Sequence, residues 1–113
     1  MKLLVFGSTG QVARELQRAA PEARYLGRDQ ADLTDPAACA AAIRASGAQA
    51  VINAAAYTAV DRAETDAATA QVVNGDSPCA MAQECAAQGI PFLHISTDYV
   101  FDGTGTAPWR PED

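Results

Sequence analysis

Lys2-Leu-Leu-Val-Phe-Gly-Ser-Thr-Gly-Gln-Val-Ala13 is the stretch that decides the fold of this chain. Residues 2–6 form a short apolar run that stops at Gly7, which is typical of a buried parallel strand. From Gln11 onward the apolar residues recur at helical spacing until Pro21 ends the pattern. The stretch therefore predicts a strand, a glycine-containing turn and a helix in immediate succession.

The turn within this stretch has the composition of a phosphate-binding turn. Gly7 permits a tight turn, Gly10 lets the backbone approach a pyrophosphate at the helix N-terminus, and Ala13 is small enough for close packing of helix on strand. Glycines also occur in strand–helix turns for purely structural reasons. The position of this turn, directly after an apolar N-terminal strand and before a helix, favours nucleotide binding.

The rest of the chain repeats the alternation of strands and helices. Further strands are predicted at residues 23–26, 50–53 and 91–96. Further helices are predicted at residues 35–46 and 65–88, the second of them interrupted in its middle. This βαβαβαβ order predicts an α/β fold, a Rossmann-type doubly wound parallel sheet of about four strands with helices on both faces. Right-handed crossovers predict the strand order 3-2-1-4.

Length and charge restrict the classes of function. The 113 residues are enough for one domain, and 8 Lys and Arg against 14 Asp and Glu give a formal net charge of −6. Without a basic surface, and without an apolar stretch of roughly 18 residues, we expect neither nucleic acid nor a membrane as a partner. An odd count of 3 cysteines without zinc spacing, and no signal-peptide pattern, predict a cytoplasmic protein.

The residues after the second predicted strand bear on the choice of cofactor. In dinucleotide-binding folds an acidic residue here binds the ribose 2′-hydroxyl, whereas an arginine accommodates the 2′-phosphate of NADP. Arg28 and Asp29 stand side by side at this position. NADPH and NADH therefore both remain open, with Arg28 slightly favouring NADPH, and a solvated surface loop is the alternative to either.

The carboxyl ends of the third and fourth strands hold further candidates, since ligands bind at that edge of a doubly wound sheet. The three alanines after Asn53 would let a cofactor lie against the backbone, although alanines that start a helix would look the same. Thr97 can hydrogen-bond a reacting carbonyl oxygen, unless it only satisfies backbone groups. Asp61 and Glu64 could bind a cation such as Mg²⁺, but a solvated helix face is commoner. His94, within an apolar run, is predicted to be a core residue.

Four motifs follow one another along the chain: Gly7-Ser-Thr-Gly-Gln-Val12, Asp32-Leu-Thr-Asp35, Val51-Ile-Asn-Ala-Ala-Ala-Tyr-Thr-Ala-Val-Asp61 and Ser96-Thr-Asp-Tyr-Val-Phe-Asp-Gly103. Together they closely resemble the dTDP-4-dehydrorhamnose reductases, which belong to the extended short-chain dehydrogenase/reductase group. The resemblance covers essentially the whole chain but only the N-terminal part of that family's length. It implies that residues 1–113 are the N-terminal part of an NAD(P)-binding Rossmann domain, with the family's substrate domain absent.

The resemblance also implies a reaction and a set of site residues. The reaction is hydride transfer from NADPH or NADH to the 4-keto group of dTDP-4-dehydro-L-rhamnose, which gives dTDP-L-rhamnose. Thr97 would be the hydroxyl member of the family's Thr/Tyr/Lys catalytic set, and Asp98 would lie near the dTDP-sugar substrate. By resemblance, Gly10, Gln11 and Val12 would touch the cofactor pyrophosphate, Asp32 and Leu33 would lie near the adenosine end, and Ala56, Tyr57 and Thr58 would lie along the cofactor. With the residues favoured by the patterns above, the expected cofactor-binding residues are Gly7, Gly10, Gln11, Val12, Arg28, Asp32, Leu33, Ala55, Ala56, Tyr57 and Thr58.

One departure from the family pattern concerns the proton donor. The family uses a tyrosine followed four positions later by lysine, and Lys2 is the only lysine in this sequence. We therefore expect the chain to carry the cofactor half-site only and to be inactive alone. Two alternatives stay open: a non-catalytic nucleotide-binding regulatory module, similar to the regulatory subunit of methionine adenosyltransferase, and a related nucleotide-sugar epimerase or reductase. An apolar sheet edge after the fourth strand predicts a homo-oligomer or a poorly soluble chain.

Overall fold

The computed structural model describes residues 1–56, 66–95, 105–108 and 110. Within them four short parallel strands form one sheet: β1 (Leu3–Phe6), β2 (Arg24–Leu26), β3 (Ala50–Asn53) and β4 (Phe92–His94). The helices are α1 (Gln11–Ala19), α2 (Pro36–Ser46), α3 (Ala67–Gln71) and α4 (Ser77–Gln88). A π-helical segment, Val72–Asp76, joins α3 to α4 and is the form that the predicted interruption takes. The predicted alternation of strands and helices is confirmed.

The sheet has the order β2-β1-β3-β4, which confirms a doubly wound α/β sheet but shows that the predicted order 3-2-1-4 is wrong. Residues 27–35 form turns and add no strand beyond β2. The chain therefore returns through α2 and pairs β3 with β1 on the side away from β2. This reversal positions the topological switch point between β1 and β3, so that the segments following these two strands meet there.

The main core lies on the sheet face that α2 and α4 cover. Side chains of a strand alternate between the two faces of a sheet, and Leu4 and Phe6 of β1 both point into this core. The buried residues of the cluster are Leu4, Phe6, Leu26, Ala31, Cys39, Ile43, Ala48, Val51, Met81 and Cys85. Val5 and Ala13 are fully buried outside this cluster, which puts α1 over the opposite face.

The residues that begin and end α2 are those that the sequence predicts. Asp35 is the N-cap, and its Oδ1 accepts a hydrogen bond from Ala38 N at 3.1 Å. Pro36 occupies the first turn, and Gly47 ends the helix in the left-handed conformation with φ 67°. No helix of the described ranges is long and apolar enough to cross a membrane.

Candidate nucleotide-binding site

The turn between β1 and α1 is built around Gly7, which needs to be glycine for two reasons. Its φ of +113° lies in the region that L side chains rarely adopt. A Cβ built on it would also lie 3.2 Å from the carbonyl carbon of Ala54 and 3.2 Å from the nitrogen of Ala55. The N–H of Gly7 donates to Leu26 O at 2.8 Å. The turn is therefore fixed between the exits of β2 and β3.

The N-terminus of α1 offers backbone donors that no side chain caps. Gly10 is the N-cap, it is extended, and it makes no side-chain cap hydrogen bond. Gly10, Gln11 and Val12 are exposed. The first N–H groups of a helix have no intrahelical partner, and together with the helix dipole they attract anions. The arrangement is suited to binding a phosphate group at the start of α1.

Residues 27–32 form a compact turn beside the turn between β1 and α1. Gly27 O accepts hydrogen bonds from Gln30 N at 3.1 Å and Ala31 N at 3.0 Å. A Cβ built on Gly27 would lie 3.1 Å from Ser8 Oγ, so the two turns abut. Arg28, by contrast, is exposed on the outside of the turn, where its guanidinium is accessible to a ligand.

Two hydrogen bonds within its own loop favour the ionised form of the Asp32 side chain. Its Oδ1 accepts from Thr34 N at 2.9 Å and from Thr34 Oγ1 at 2.8 Å. These two hydrogen bonds lower the pKa of Asp32 below its usual value, and the positive charge of Arg28 lowers the pKa further. A negative charge is thus kept next to an exposed arginine at the predicted adenosine end.

Leu33 lies at the same end but is packed inward. Its side chain contacts the core cluster, and its carbonyl oxygen accepts from the fully buried Ser77 Oγ at 2.6 Å. Next to it, Cys39 Sγ donates to Asp32 O at 3.5 Å, and burial raises the pKa of the Cys39 thiol, which therefore stays protonated. Cys39 and Ser77 thus hold the backbone of residues 32–33 in place by hydrogen bonds to its carbonyl oxygens. No local pattern in the sequence predicts this role.

The exit of β3 lines the other side of the switch point. Ala54 N donates to Phe6 O at 2.9 Å, and residues 54–56 adopt no regular secondary structure, so the alternative that the alanines start a helix is wrong there. Ala55 is half-buried against the core cluster, and Ala56 is exposed. The structure thus brings Gly7 against Ala54 and Ala55 at the carboxyl edge of the sheet, and Ala56 follows them in the chain.

Asn53 and His94 form a pair that the sequence did not reveal. Asn53 is fully buried, and its Oδ1 accepts from Ala55 N at 3.2 Å. Its Nδ2 lies 3.2 Å from His94 Nδ1, across the β3–β4 register. His94 is exposed, so the prediction of a core histidine is wrong. The short strand β4 ends at His94, and the helices do not extend over this residue. Phe92, two residues earlier on the same face, does pack on the core cluster.

The remaining predicted site residues lie outside the described residues. They are Tyr57, Thr58, Asp61, Glu64, Thr97 and Asp98. Among the residues that the structure does describe, no group of three or more His, Cys, Asp and Glu side chains could hold a metal ion.

Comparison with known proteins gives one consistent result. The family described as RmlD substrate binding domain matches residues 1–113. A dTDP-4-dehydrorhamnose reductase of Burkholderia thailandensis is 46% identical over 116 residues, covering 100% of this chain and 39% of the relative. A crystal structure of such a reductase from Clostridium acetobutylicum superposes with a TM-score of 0.87 at 32% identity, covering 100% of this chain and 42% of that one. The structure from Bacillus anthracis, in complex with NADP, superposes with a TM-score of 0.81 at 30% identity, covering 91% of this chain and 39% of that one. The chain thus spans about two fifths of the length of these relatives.

Proposed function

The chain belongs to the RmlD substrate binding domain family, and from that premise we propose that it supplies the NAD(P)H-binding part of a dTDP-4-dehydrorhamnose reductase. The observation that carries the proposal is the uncapped start of α1 at Gly10, set against the small residues that follow β3. A dinucleotide fits across this edge of a doubly wound sheet, with its pyrophosphate on the helix N-terminus. Residues 1–113 then form the N-terminal part of the cofactor domain.

The pyrophosphate is assigned to Gly10, Gln11 and Val12. A Cβ on Gly10 would meet its nearest protein atom, Ala54 O, at 3.9 Å, which is ordinary contact. The packing of the chain itself therefore does not demand glycine at this position. A ligand that approaches the backbone closely would require glycine there, as in other dinucleotide-binding turns.

The adenosine end is assigned to Arg28, Asp32 and Leu33, with NADPH favoured over NADH. The exposed guanidinium of Arg28 stands in the loop after β2, where an arginine receives a ribose 2′-phosphate. The reductase of Bacillus anthracis to which this chain is similar was crystallised with NADP. Asp32, kept ionised by Thr34, contributes an acceptor for ribose hydroxyl groups.

The reaction assigned to the whole protein is reduction of the 4-keto group of dTDP-4-dehydro-L-rhamnose. Hydride leaves the nicotinamide ring for the carbonyl carbon, and a general acid protonates the oxygen. Ala55, Ala56, Tyr57 and Thr58 are assigned to the nicotinamide half, Thr97 to the carbonyl oxygen and Asp98 to the dTDP-sugar. The cytoplasmic location stays a prediction of the sequence, and at Asp61 and Glu64 a solvated helix face stays favoured over a cation site.

This chain by itself is proposed to bind cofactor without turnover. Lys2, its only lysine, precedes β1 at the amino edge of the sheet, and its backbone N–H donates to Gln49 Oε1. That edge is opposite to the nucleotide site, so Lys2 cannot serve as the lysine of the family's catalytic set. A non-catalytic nucleotide-binding module is the other candidate, but the identity to reductases over the whole chain favours the reductase.

Self-association is proposed at β4. Within the described residues this strand is at the end of the sheet, and Leu93 in the strand and Ile95 just after it are 56% and 42% exposed. An apolar edge strand is a template for pairing with another chain. Sedimentation is expected to show a dimer or larger species, and a stable monomer at high concentration would contradict this part of the proposal.

The substitution Gly10→Ser tests the cofactor site directly. Serine is a good N-cap, so its Oγ is expected to bond the free N–H groups of α1 and to leave the thermal stability unchanged or slightly raised. The same hydroxyl occupies the position proposed for the pyrophosphate. Titration with NADPH and NADH, followed by nucleotide fluorescence, is expected to show at least about tenfold weaker binding than for the unmodified chain. Equal affinity in the two proteins would overturn the site.

A further inference from the structure

Asn53 is one of two polar residues that are buried in the described residues, the other being Ser77. It ends β3, and its register partners are Phe6 on β1 and His94 on β4. Its Oδ1 accepts from Ala55 N at 3.2 Å, and its Nδ2 lies 3.2 Å from His94 Nδ1. One carboxamide therefore connects the cofactor-facing exit of β3 to the last residue of β4.

The chemistry of these contacts determines where the His94 ring carries its proton. A backbone N–H can only donate, so the carboxamide atom that faces Ala55 is the oxygen. The amide nitrogen of Asn53 therefore faces His94, and since it too can only donate, Nδ1 of the imidazole is the acceptor. The proton of the neutral ring then lies on Nε2.

The His94 ring is exposed and yet held in one orientation. It stacks on Phe92 with 6.3 Å between ring centroids and 12° between ring planes. Phe92 is itself packed against the core cluster, so the stack has a fixed base. Across the part of the chain that the structure describes, no partner is found for Nε2. The result is an oriented N–H donor at the carboxyl edge of the sheet, one strand away from Ala55.

We propose that the Nε2–H of His94 binds an oxygen atom of the nicotinamide dinucleotide and that Asn53 is the positioning residue that fixes its tautomer. The inference rests on the proposed function, because it takes its ligand from that site. Dinucleotides carry many oxygen acceptors, in the ribose hydroxyls, the phosphates and the carboxamide of the nicotinamide ring. A donor whose proton and ring plane are both set in advance loses little freedom on binding.

The tautomer is tested without any ligand, by long-range ¹H–¹⁵N correlation spectra of the His94 ring at alkaline pH. The unmodified chain is expected to show the Nε2-protonated form. Asn53→Asp keeps an acceptor for Ala55 N but offers His94 only acceptors, so the neutral ring is expected to change to the Nδ1-protonated form. Phe92→Leu, the control, removes the stacking and is expected to leave the tautomer unchanged. An Nδ1-protonated ring in the unmodified chain would overturn the role of Asn53, whether or not the variants fold.

The ligand contact is tested by two replacements of His94. Asparagine puts a carboxamide where Nδ1 lies and preserves the bond to Asn53, whereas glutamine puts an N–H near the position of Nε2. NADPH is expected to bind about fivefold more weakly to His94→Asn than to the unmodified chain, and His94→Gln is expected to recover part of the loss. Binding of NADPH to His94→Asn at the affinity of the unmodified chain would overturn the donor role. If the unmodified chain binds neither NADPH nor NADH, the proposed function fails, and so does the proposal that His94 contacts the dinucleotide. The role of Asn53 in fixing the tautomer is tested separately, by the spectra.

Discussion

Gly7 approaches Ala54 so closely that a Cβ on Gly7 would lie 3.2 Å from the Ala54 carbonyl carbon. This contact joins the turn after β1 to the exit of β3, the two segments that meet at the switch point of the sheet. Gly7 also has a φ of +113°. Any other residue at this position would therefore have a strained backbone, and its Cβ would lack space.

The substitution Gly7→Ala is therefore expected to destabilise the chain by about 2–3 kcal/mol. Gly89→Ala is the matched control, because Gly89 has a φ of +69° but a Cβ built on it would meet no atom within 4 Å. Its expected cost is only the strain, about 1 kcal/mol. Urea denaturation of the three proteins measures the difference. Equal destabilisation by the two substitutions would show that the contact with Ala54 contributes nothing.

Ser77→Ala is expected to lower the free energy of unfolding by about 1–3 kcal/mol, because it leaves the Leu33 carbonyl without its buried donor. Ser46→Ala serves as the comparison, since Ser46 Oγ also donates to a backbone carbonyl, that of Ile43, and accepts from Ala48 N, but both bonds are local to one helix end. Water can replace these half-buried bonds, and the expected cost is below about 1 kcal/mol. Thermal unfolding of both variants checks the order, and a reversed order would contradict it.

The lowered pKa of Asp32 predicts a pH dependence with a definite sign. A carboxyl group with a depressed pKa in the folded state contributes stability above its unfolded pKa of about 3.9, and this contribution is lost as the pH falls through the depressed value. Thr34→Val removes the Oγ1 hydrogen bond and is expected to raise the pKa of Asp32. Arg28→Ala is expected to raise it less, because the arginine acts only through its charge. Carboxyl ¹³C titration gives both pKa values, and a larger rise in Arg28→Ala would contradict this order.

Arg28→Ala is also expected to change the cofactor preference. Loss of the guanidinium removes the partner proposed for the 2′-phosphate, so NADPH affinity should fall about tenfold while NADH affinity changes little. Arg24→Ala is the control, since Arg24 is likewise exposed but lies at the amino end of β2. Fluorescence titrations with both nucleotides give the ratio. A proportional loss for NADPH and NADH would remove Arg28 from the 2′-phosphate site.

The parts of the structure that the sequence predicted correctly depend on neighbouring residues. Alternation of apolar runs with helical spacing located all four described strands, and Asp35, Pro36 and Gly47 marked the ends of α2. The glycine pattern after β1 indicated the turn at which Gly7 adopts its positive φ. Each of these signals acts over a few residues, through backbone sterics, capping and side-chain periodicity.

The strand order and the side-chain contacts that complete the site were not predictable in this way. The order 3-2-1-4 failed because the sequence does not say whether the third strand pairs with β2 or with β1, and that depends on how α2 packs across the sheet. The prediction for His94 failed because an apolar neighbourhood in sequence does not show how far the helices extend over a short strand.

The sequence by itself determined the class of fold, the glycine-containing turn after β1 and the family to which the chain belongs, because these depend on local residue patterns. Only the tertiary structure decided the position of the switch point, the support of Leu33 by Ser77 and the pairing of Asn53 with His94. The partners in these two pairs are 44 and 41 residues apart. Contacts of that range form when helices and strands pack together, and they depend on the whole arrangement of the core.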